Sequence, residues 1–168
     1  MRIILAGGSG FLGSALTAHL ATEHDIFILT RNRSLRGSMP RVRFEPWLPN
    51  GQTGSWASAL DDADAVINLA GESIAGKRWS AAQKQRILQS RLLATQSLAA
   101  AIRGATRKPR TFISGSAVGF YGDRGDETLT EASAPGSDFL AGVCKQWETA
   151  ADSVRWERTA TPDATDQS

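Results

Sequence analysis

The stretch Gly7-Gly8-Ser9-Gly10-Phe11-Leu12-Gly13 constrains the fold of this chain more than any other. It follows Arg2-Ile3-Ile4-Leu5-Ala6, a short apolar run that reads as a strand buried on both faces. Behind it, over residues 11–24, Leu12, Ala15, Leu16 and Leu20 fall at helical spacing. A strand, a tight glycine turn and a helix N-terminus bring backbone N–H groups and the positive end of the helix dipole to one point. Glycine removes the side chains that would obstruct it, and the result is a cradle for the pyrophosphate of a dinucleotide. The spacing fits G-x-G-x-x-G through Gly8, Gly10 and Gly13, and G-x-x-G-x-x-G through Gly7, Gly10 and Gly13. With 16 glycines in 168 residues the pattern alone is weak; its place between strand and helix gives it weight. Gly7, Gly10, Phe11, Leu12 and Gly13 are therefore the first expected cofactor contacts.

Four more strands are expected at 25–30, 42–45, 65–70 and 111–114, each an apolar or alternating run. Between them lie a short helix at 55–60, with Ser55 as its cap, and a long one at 81–103 capped by Ser80. The long helix carries Leu88, Leu92, Ala99, Ile102, Ile87, Ala94 and Leu98 on one broad apolar stripe. A last helix is expected over 138–154, with Asp138 at its start. Strands alternating with helices predict an α/β fold, a Rossmann-like doubly wound parallel sheet. A complete dinucleotide fold has six strands and this sequence supplies five, so the sheet is expected to be truncated after the fifth strand and its following helix. Residues 1–156 read as one domain, and 157–168, without apolar periodicity, as a disordered tail.

Hydrophobic residues make up 41% and charged residues 21% of the chain, with a net charge of +2, which gives no general signature for binding polyanions. Arg31, Arg33, Arg36, Arg41 and Arg43 cluster without the interleaved aromatics of a nucleic-acid surface. The single cysteine, Cys144, permits no internal disulfide and agrees with a reducing cytoplasm. The apolar start stops at Gly7, too short for a signal peptide, and no run of about 18 apolar residues follows, so neither export nor a membrane span is expected. No His/Cys/Asp spacing supports a metal site.

In folds that bind NAD, a carboxylate near the end of the second strand holds the ribose hydroxyls. Here that place is Thr30-Arg31-Asn32-Arg33, with no acid. A guanidinium pairs instead with a 2′-phosphate, so NADP(H) is expected over NAD(H), with a merely solvated arginine as the alternative.

The glycine turn, Asn68-Leu69-Ala70-Gly71 after the fourth strand and Ser114-Gly115-Ser116-Ala117 at the fifth resemble the extended short-chain dehydrogenase/reductase family. Within it the chain is similar to the atypical epimerase-like branch, the NAD-dependent epimerase/dehydratase-type proteins, through the blocks at 68–80, 114–127 and 138–148. Members are usually about twice the length of a typical single domain of roughly 150 residues, so the resemblance implies an N-terminal half. It also implies that Asn68, Leu69, Ala70, Gly71, Arg91 and Ser114 flank the cofactor, and that Ser116 is the serine that hydrogen-bonds the substrate oxygen, with a loop hydroxyl that satisfies backbone as the alternative. Catalytic relatives carry Tyr-x-x-x-Lys, in which the tyrosine is the acid/base. Here Tyr121 is followed four residues on by Gly125, Lys145 is preceded by Ala141, and aligning on Glu148 puts Leu140 and Cys144 at the two positions. Neither register restores the pair.

Tyr121 then has two readings, packing against its neighbouring loop or catalysis. Arg91 stands where related epimerases carry asparagine and meets a phosphate, a substrate carboxylate or solvent. Glu72, Lys77 and Arg78 are candidates for an anionic substrate or a solvated loop. Cys144 is expected in the core, and His19 and His24 on the surface of the first helix. The expected function is an NADP(H)-binding epimerase/oxidoreductase-like protein lacking Tyr-x-x-x-Lys. The alternative is a non-catalytic NADP(H)-binding sensor or interaction module. Expected partners are a small, anionic substrate and, through exposed apolar surface, a second copy in a homodimer, with no nucleic acid and no membrane.

Overall fold

The computed structural model describes residues 1–32, 34–35 and 39–154. The first apolar run, β1 (Arg2–Ala6), becomes the middle of a parallel sheet, which is why it carries apolar side chains on both faces. On one side β1 pairs with β2 (Asp25–Thr30), Ile3 opposite Ile26 and Leu5 opposite Ile28. On the other it pairs with β4 (Ala65–Asn68), Ile4 opposite Val66 and Ala6 opposite Asn68. β3 (Val42–Pro46) extends the sheet beyond β2 and β5 (Thr111–Ser114) beyond β4, giving the order β3-β2-β1-β4-β5. The chain winds outward through β2 and β3, then returns past β1 to β4 and β5. Where the winding reverses, the connections that leave the adjacent ends of β1 and β4 run to opposite faces, to α1 and to α2, and leave a crevice between them, the place where sheets of this type bind ligands.

α1 (Phe11–Leu20) covers one face, α2 (Ala81–Gly104) and α3 (Phe139–Asp152) the other. Ile3 and Leu5 sit in a cluster with Ile26, Ile28 and Ile67, against which Leu16 and Leu20 of α1 pack. Ile4 and Ala6 sit in the opposite cluster with Trp56, Leu60, Leu98 and Ile102. Two of the three expected caps are present: Ser80 Oγ accepts from the Gln83 N–H at 3.2 Å and Asp138 Oδ1 from the Ala141 N–H at 2.8 Å.

Several elements differ from the sequence expectation. α1 ends at Leu20 rather than 24, because the Ala21 N–H returns to the Thr17 carbonyl and the Glu23 and His24 N–H groups both turn back onto Leu20. His24 thus lies beyond the helix and is half-buried, while His19 is exposed. The buried side of α1 is Gly13 and Thr17, and Leu12, expected in the apolar stripe, is 65% exposed. Gly13 is pressed onto the end of β1, and that contact rotates Leu12 and Ala15 outward. The segment Ser55–Leu60 is a 3₁₀ turn preceded by Gly54, with no side-chain cap, so Ser55 does not cap it. It is anchored by Trp56, whose ring meets Trp47 edge-on at 5.3 Å. β4 stops at Asn68, two residues before the expected end, where the chain leaves the sheet for the crevice. On α2, Leu88 and Leu92 are only half-buried, while the polar Gln83, Thr95 and Ser97 are buried. The expected domain end at 156, the tail at 157–168, Arg33 and Arg36 lie outside the described residues. Among the described residues no helix is long and apolar enough to cross a membrane.

Candidate functional site

The glycine turn closes the crevice at the end of β1. Gly7 has φ +84°, and a Cβ there would come within 2.6 Å of the Leu69 carbonyl. A Cβ on Gly13 would lie 2.1 Å from the Gly7 carbonyl oxygen, and one on Gly8 would lie 2.8 Å from the Ile28 side chain. These glycines are required by the close approach of strand, helix and β4 loop. Gly10 differs: its N–H bonds the Gly7 carbonyl at 3.0 Å, it is exposed, and a Cβ there would meet only the Gly7 carbonyl oxygen, at 3.3 Å. No side chain caps α1, so the N–H groups at its start remain available to an anion.

From Gly7, Ser9 and Gly10 a cavity of about 620 Å³ runs to Thr30, Arg31 and Asn32 on one side and to Leu69, Ala70 and Gly71 on the other. Arg31 is exposed at its rim, on a turn fixed by the Asn32 N–H donating to Thr30 Oγ1 at 3.1 Å. The other described arginines of the cluster face elsewhere. Arg41 approaches Asp25 at 3.8 Å, and Arg43 lies over the Phe27 ring at 5.4 Å. The side chains of Phe11 and Leu12, at the helix start, are 89% and 65% exposed.

Asn68, fully buried, builds the wall between β4 and β5. Its Nδ2 donates to Thr95 Oγ1 at 2.9 Å and to Ser114 Oγ at 3.4 Å, and its Oδ1 accepts from the Ala70 N–H at 3.2 Å. One amide thereby holds the crevice loop, α2 and β5 together. The Glu72 N–H donates to Ser90 Oγ at 2.8 Å, keeping the loop against α2. Arg91 Nη1 donates to the Glu72 and Ile87 carbonyls, each at 3.0 Å, and the guanidinium lies 5.2 Å from the Trp147 ring centroid. Burial pulls this guanidinium below its ordinary pKa, an effect that Cys144 and Glu72 offset in part. Lys77 and Arg78 sit on an exposed loop closed by the Trp79 indole N–H donating to the Ile74 carbonyl at 2.8 Å.

Ser116 Oγ donates a short hydrogen bond to the Glu148 carboxylate on α3. Both line a second hollow of about 760 Å³ along the outer edge of β5, together with Ser114 and Gly115. Cys144 is 3% exposed and its thiol donates to the Ala117 carbonyl at 3.7 Å. Burial first, and Glu148 second, push that thiol up, which keeps it protonated and un-nucleophilic at neutral pH. Tyr121 closes a 3₁₀ turn (Val118–Tyr121), meets Phe120 edge-on at 5.2 Å and is not among the residues lining either hollow. Leu140 packs against Gly119, where an added Cβ would come within 3.2 Å of the leucine Cβ.

Ser114, Ser116, Arg91, Asn68 and the 69–71 loop therefore lie along the carboxyl ends of β4 and β5, and Gly7–Gly13 with Arg31 along β1 and β2. Sequence reasoning missed Trp147 and Glu148 as site residues. They fall three and four positions after Cys144, one helical turn on, and that spacing was the available signal.

A model of the NAD dependent epimerase/dehydratase family matches residues 3–141. The epimerase family protein Mb2239 of Mycobacterium bovis is 40% identical over 154 residues, covering 88% of this chain and 47% of that protein. Among solved structures, human epimerase family protein SDR39U1 (isoform2) with NADPH superposes with a TM-score of 0.76 at 32% identity, covering 92% of this chain and 51% of the other. A nucleoside-diphosphate sugar epimerase from Corynebacterium glutamicum superposes with a TM-score of 0.73 at 40% identity, covering 92% of this chain and 31% of the other. The chain spans about half the length of the curated relatives it matches.

Proposed function

The chain belongs to the NAD dependent epimerase/dehydratase family, and on that premise we propose that it is the NADP(H)-binding part of an epimerase- or reductase-type protein. The observation that carries this reading is one cavity with an uncapped helix N-terminus beside Gly10 at one end and Arg31 at the other. In that arrangement the N–H groups of Phe11, Leu12 and Gly13 face a pyrophosphate, and Arg31 pairs with the 2′-phosphate through charge-assisted hydrogen bonds. Leu69, Ala70 and Gly71 form the opposite lip, held by Asn68. The human relative bound to NADPH supports the same guest. Bound nicotinamide would supply hydride transfer; the chain's own part is to orient it and to hold a substrate oxygen near Ser116. Glu148 fixes the Ser116 hydroxyl by accepting its hydrogen. The lone buried cysteine fits a reducing cytoplasm.

Leu140 and Cys144 cannot perform the proton transfer of a Tyr-x-x-x-Lys pair, one being aliphatic and the other a buried, protonated thiol. That observation favours a second reading, a non-catalytic NADP(H)-binding module. Calorimetric titration tests the cofactor. NADPH is expected to bind at least about tenfold more tightly than NADH, and Arg31→Ala to erase the difference, in line with the worth of charged hydrogen bonds. Equal affinities in the parent chain would overturn the NADP assignment. Hydride transfer to nucleotide sugars or quinones supports the enzyme, and its absence with NADPH bound supports the module.

A further inference from the structure

We infer that the base of the cofactor is held by shape and apolar contact alone, at the turn after β3, so that the crevice accepts hypoxanthine as well as adenine. The inference rests on the reading of the crevice as an NADP(H) site. In NADP the ribose that carries the 2′-phosphate also carries the base. With the pyrophosphate at Gly10 and the 2′-phosphate at Arg31, the base lies beside Arg31 and away from Gly10. There the cavity is lined by Trp47, Leu48 and Pro49, which follow β3, and by Ala94 of α2. This turn is fixed before any ligand arrives. The Trp47 N–H donates to the Thr30 carbonyl at 3.0 Å, the Trp47 ring meets Trp56 edge-on, and the Gly51 N–H donates to Ser97 Oγ on α2 at 3.0 Å. Leu48, between those anchors, is nonetheless 69% exposed. An apolar side chain held in the open on a fixed turn, and lining a cavity, is a wall for a flat apolar ring.

Adenine and hypoxanthine differ in one exocyclic group, an amino group that donates in the first and a carbonyl that accepts in the second. To tell them apart the site needs an acceptor aimed at the amino group, and the side chains of the turn supply none. An indole N–H only donates, and leucine and proline side chains do neither. The neighbouring oxygens are engaged within the protein. Thr30 Oγ1 accepts from the Asn32 N–H at 3.1 Å, and Asn32 Oδ1 from the Ser34 N–H at 2.9 Å. Ser90 Oγ accepts from the Glu72 N–H at 2.8 Å and donates to the Ile87 carbonyl at 3.1 Å. Ser9 belongs to the glycine turn at the phosphate end. The carboxylate in the lining, that of Glu72, follows β4 rather than β3 and interacts with Arg91. A ring edge that meets no acceptor gains nothing from its amino group, so both bases are bound through the same apolar area.

The test is calorimetric titration of the full chain with NADPH and with reduced nicotinamide hypoxanthine dinucleotide phosphate. The two affinities are expected to agree within about threefold, the low end of what one hydrogen bond is worth. A larger difference in either direction would overturn the inference and leave the cofactor reading standing, whereas binding of neither compound would overturn both. Leu48→Ala tests where the base lies. Because Leu48 is exposed, melting is expected to be unchanged, while both cofactors weaken equally, by at least about threefold, through the lost apolar contact. NADPH affinity that survives Leu48→Ala, or a loss seen with NADPH and absent with NADH, would overturn the placement of the base on this turn.

Discussion

The substitution Gly13→Ala places a methyl group 2.1 Å from the Gly7 carbonyl oxygen and 2.6 Å from the Gly8 Cα, both backbone atoms that cannot swing aside. Overpacking of this kind costs about 1–3 kcal/mol. The expected outcome is a fall of several degrees in Tm together with loss of NADPH binding, since α1 must lift from the turn that aims its N–H groups. Unchanged melting and affinity would contradict the close approach described here. Cys144 supplies a pH test. Its thiol is pushed up in the folded chain, so the stabilisation is complete below the ordinary cysteine value of about 8.5 and is lost as pH rises through the folded value. The urea midpoint is expected to decline above about pH 8.5 more steeply in the parent than in Cys144→Ala, and parallel curves would refute the shift.

At the scale of elements, the caps are separable from the site. Asp138→Ala removes the carboxylate that accepts from the Ala141 N–H and is expected to cost about 1 kcal/mol, with Asp138→Asn close to the parent, measured by urea unfolding. The caps at Ser80 and Asp138 were legible, though not the absence of one at Ser55, and so were all five strands, because capping and apolar runs are local properties. What the sequence hid was non-local. The outward turn of Leu12 follows from Gly13 meeting the end of β1, a contact that helical periodicity does not encode. Burial of the polar Thr95 and Ser97 on α2 follows from their partners, Asn68 and Gly51, far away in the chain. Likewise, the bond between Ser116 and Glu148 exists only because α3 folds back along β5. The cofactor end of the crevice was readable from one continuous motif, whereas the β5 end is assembled from three segments.

Across the whole molecule, the two edges of the sheet are unlike. β3 ends in Pro46 and carries Arg43 beside the exposed Arg41, features that discourage further strand pairing. β5 itself carries neither proline nor charge, and Ile113 on it and Val118 just beyond are 52% and 79% exposed. This edge is expected to drive self-association of the chain as given. Ile113→Lys should lower the sedimentation coefficient at high concentration towards that of a monomer, and an unchanged profile would exclude the edge as the contact.

The close seat of Gly7 on the Leu69 carbonyl also sets a timetable. The cradle is written in the first dozen residues, yet its floor is supplied by a strand end some sixty positions later. On a ribosome, β1, α1 and β2 emerge together with nothing to stand on at the mouth of the turn. Only once β4 has left the tunnel and slid in beside β1 does the turn acquire its shape. A nascent chain therefore carries the whole glycine motif well before it can hold a nucleotide, and gains that capacity with the arrival of β4.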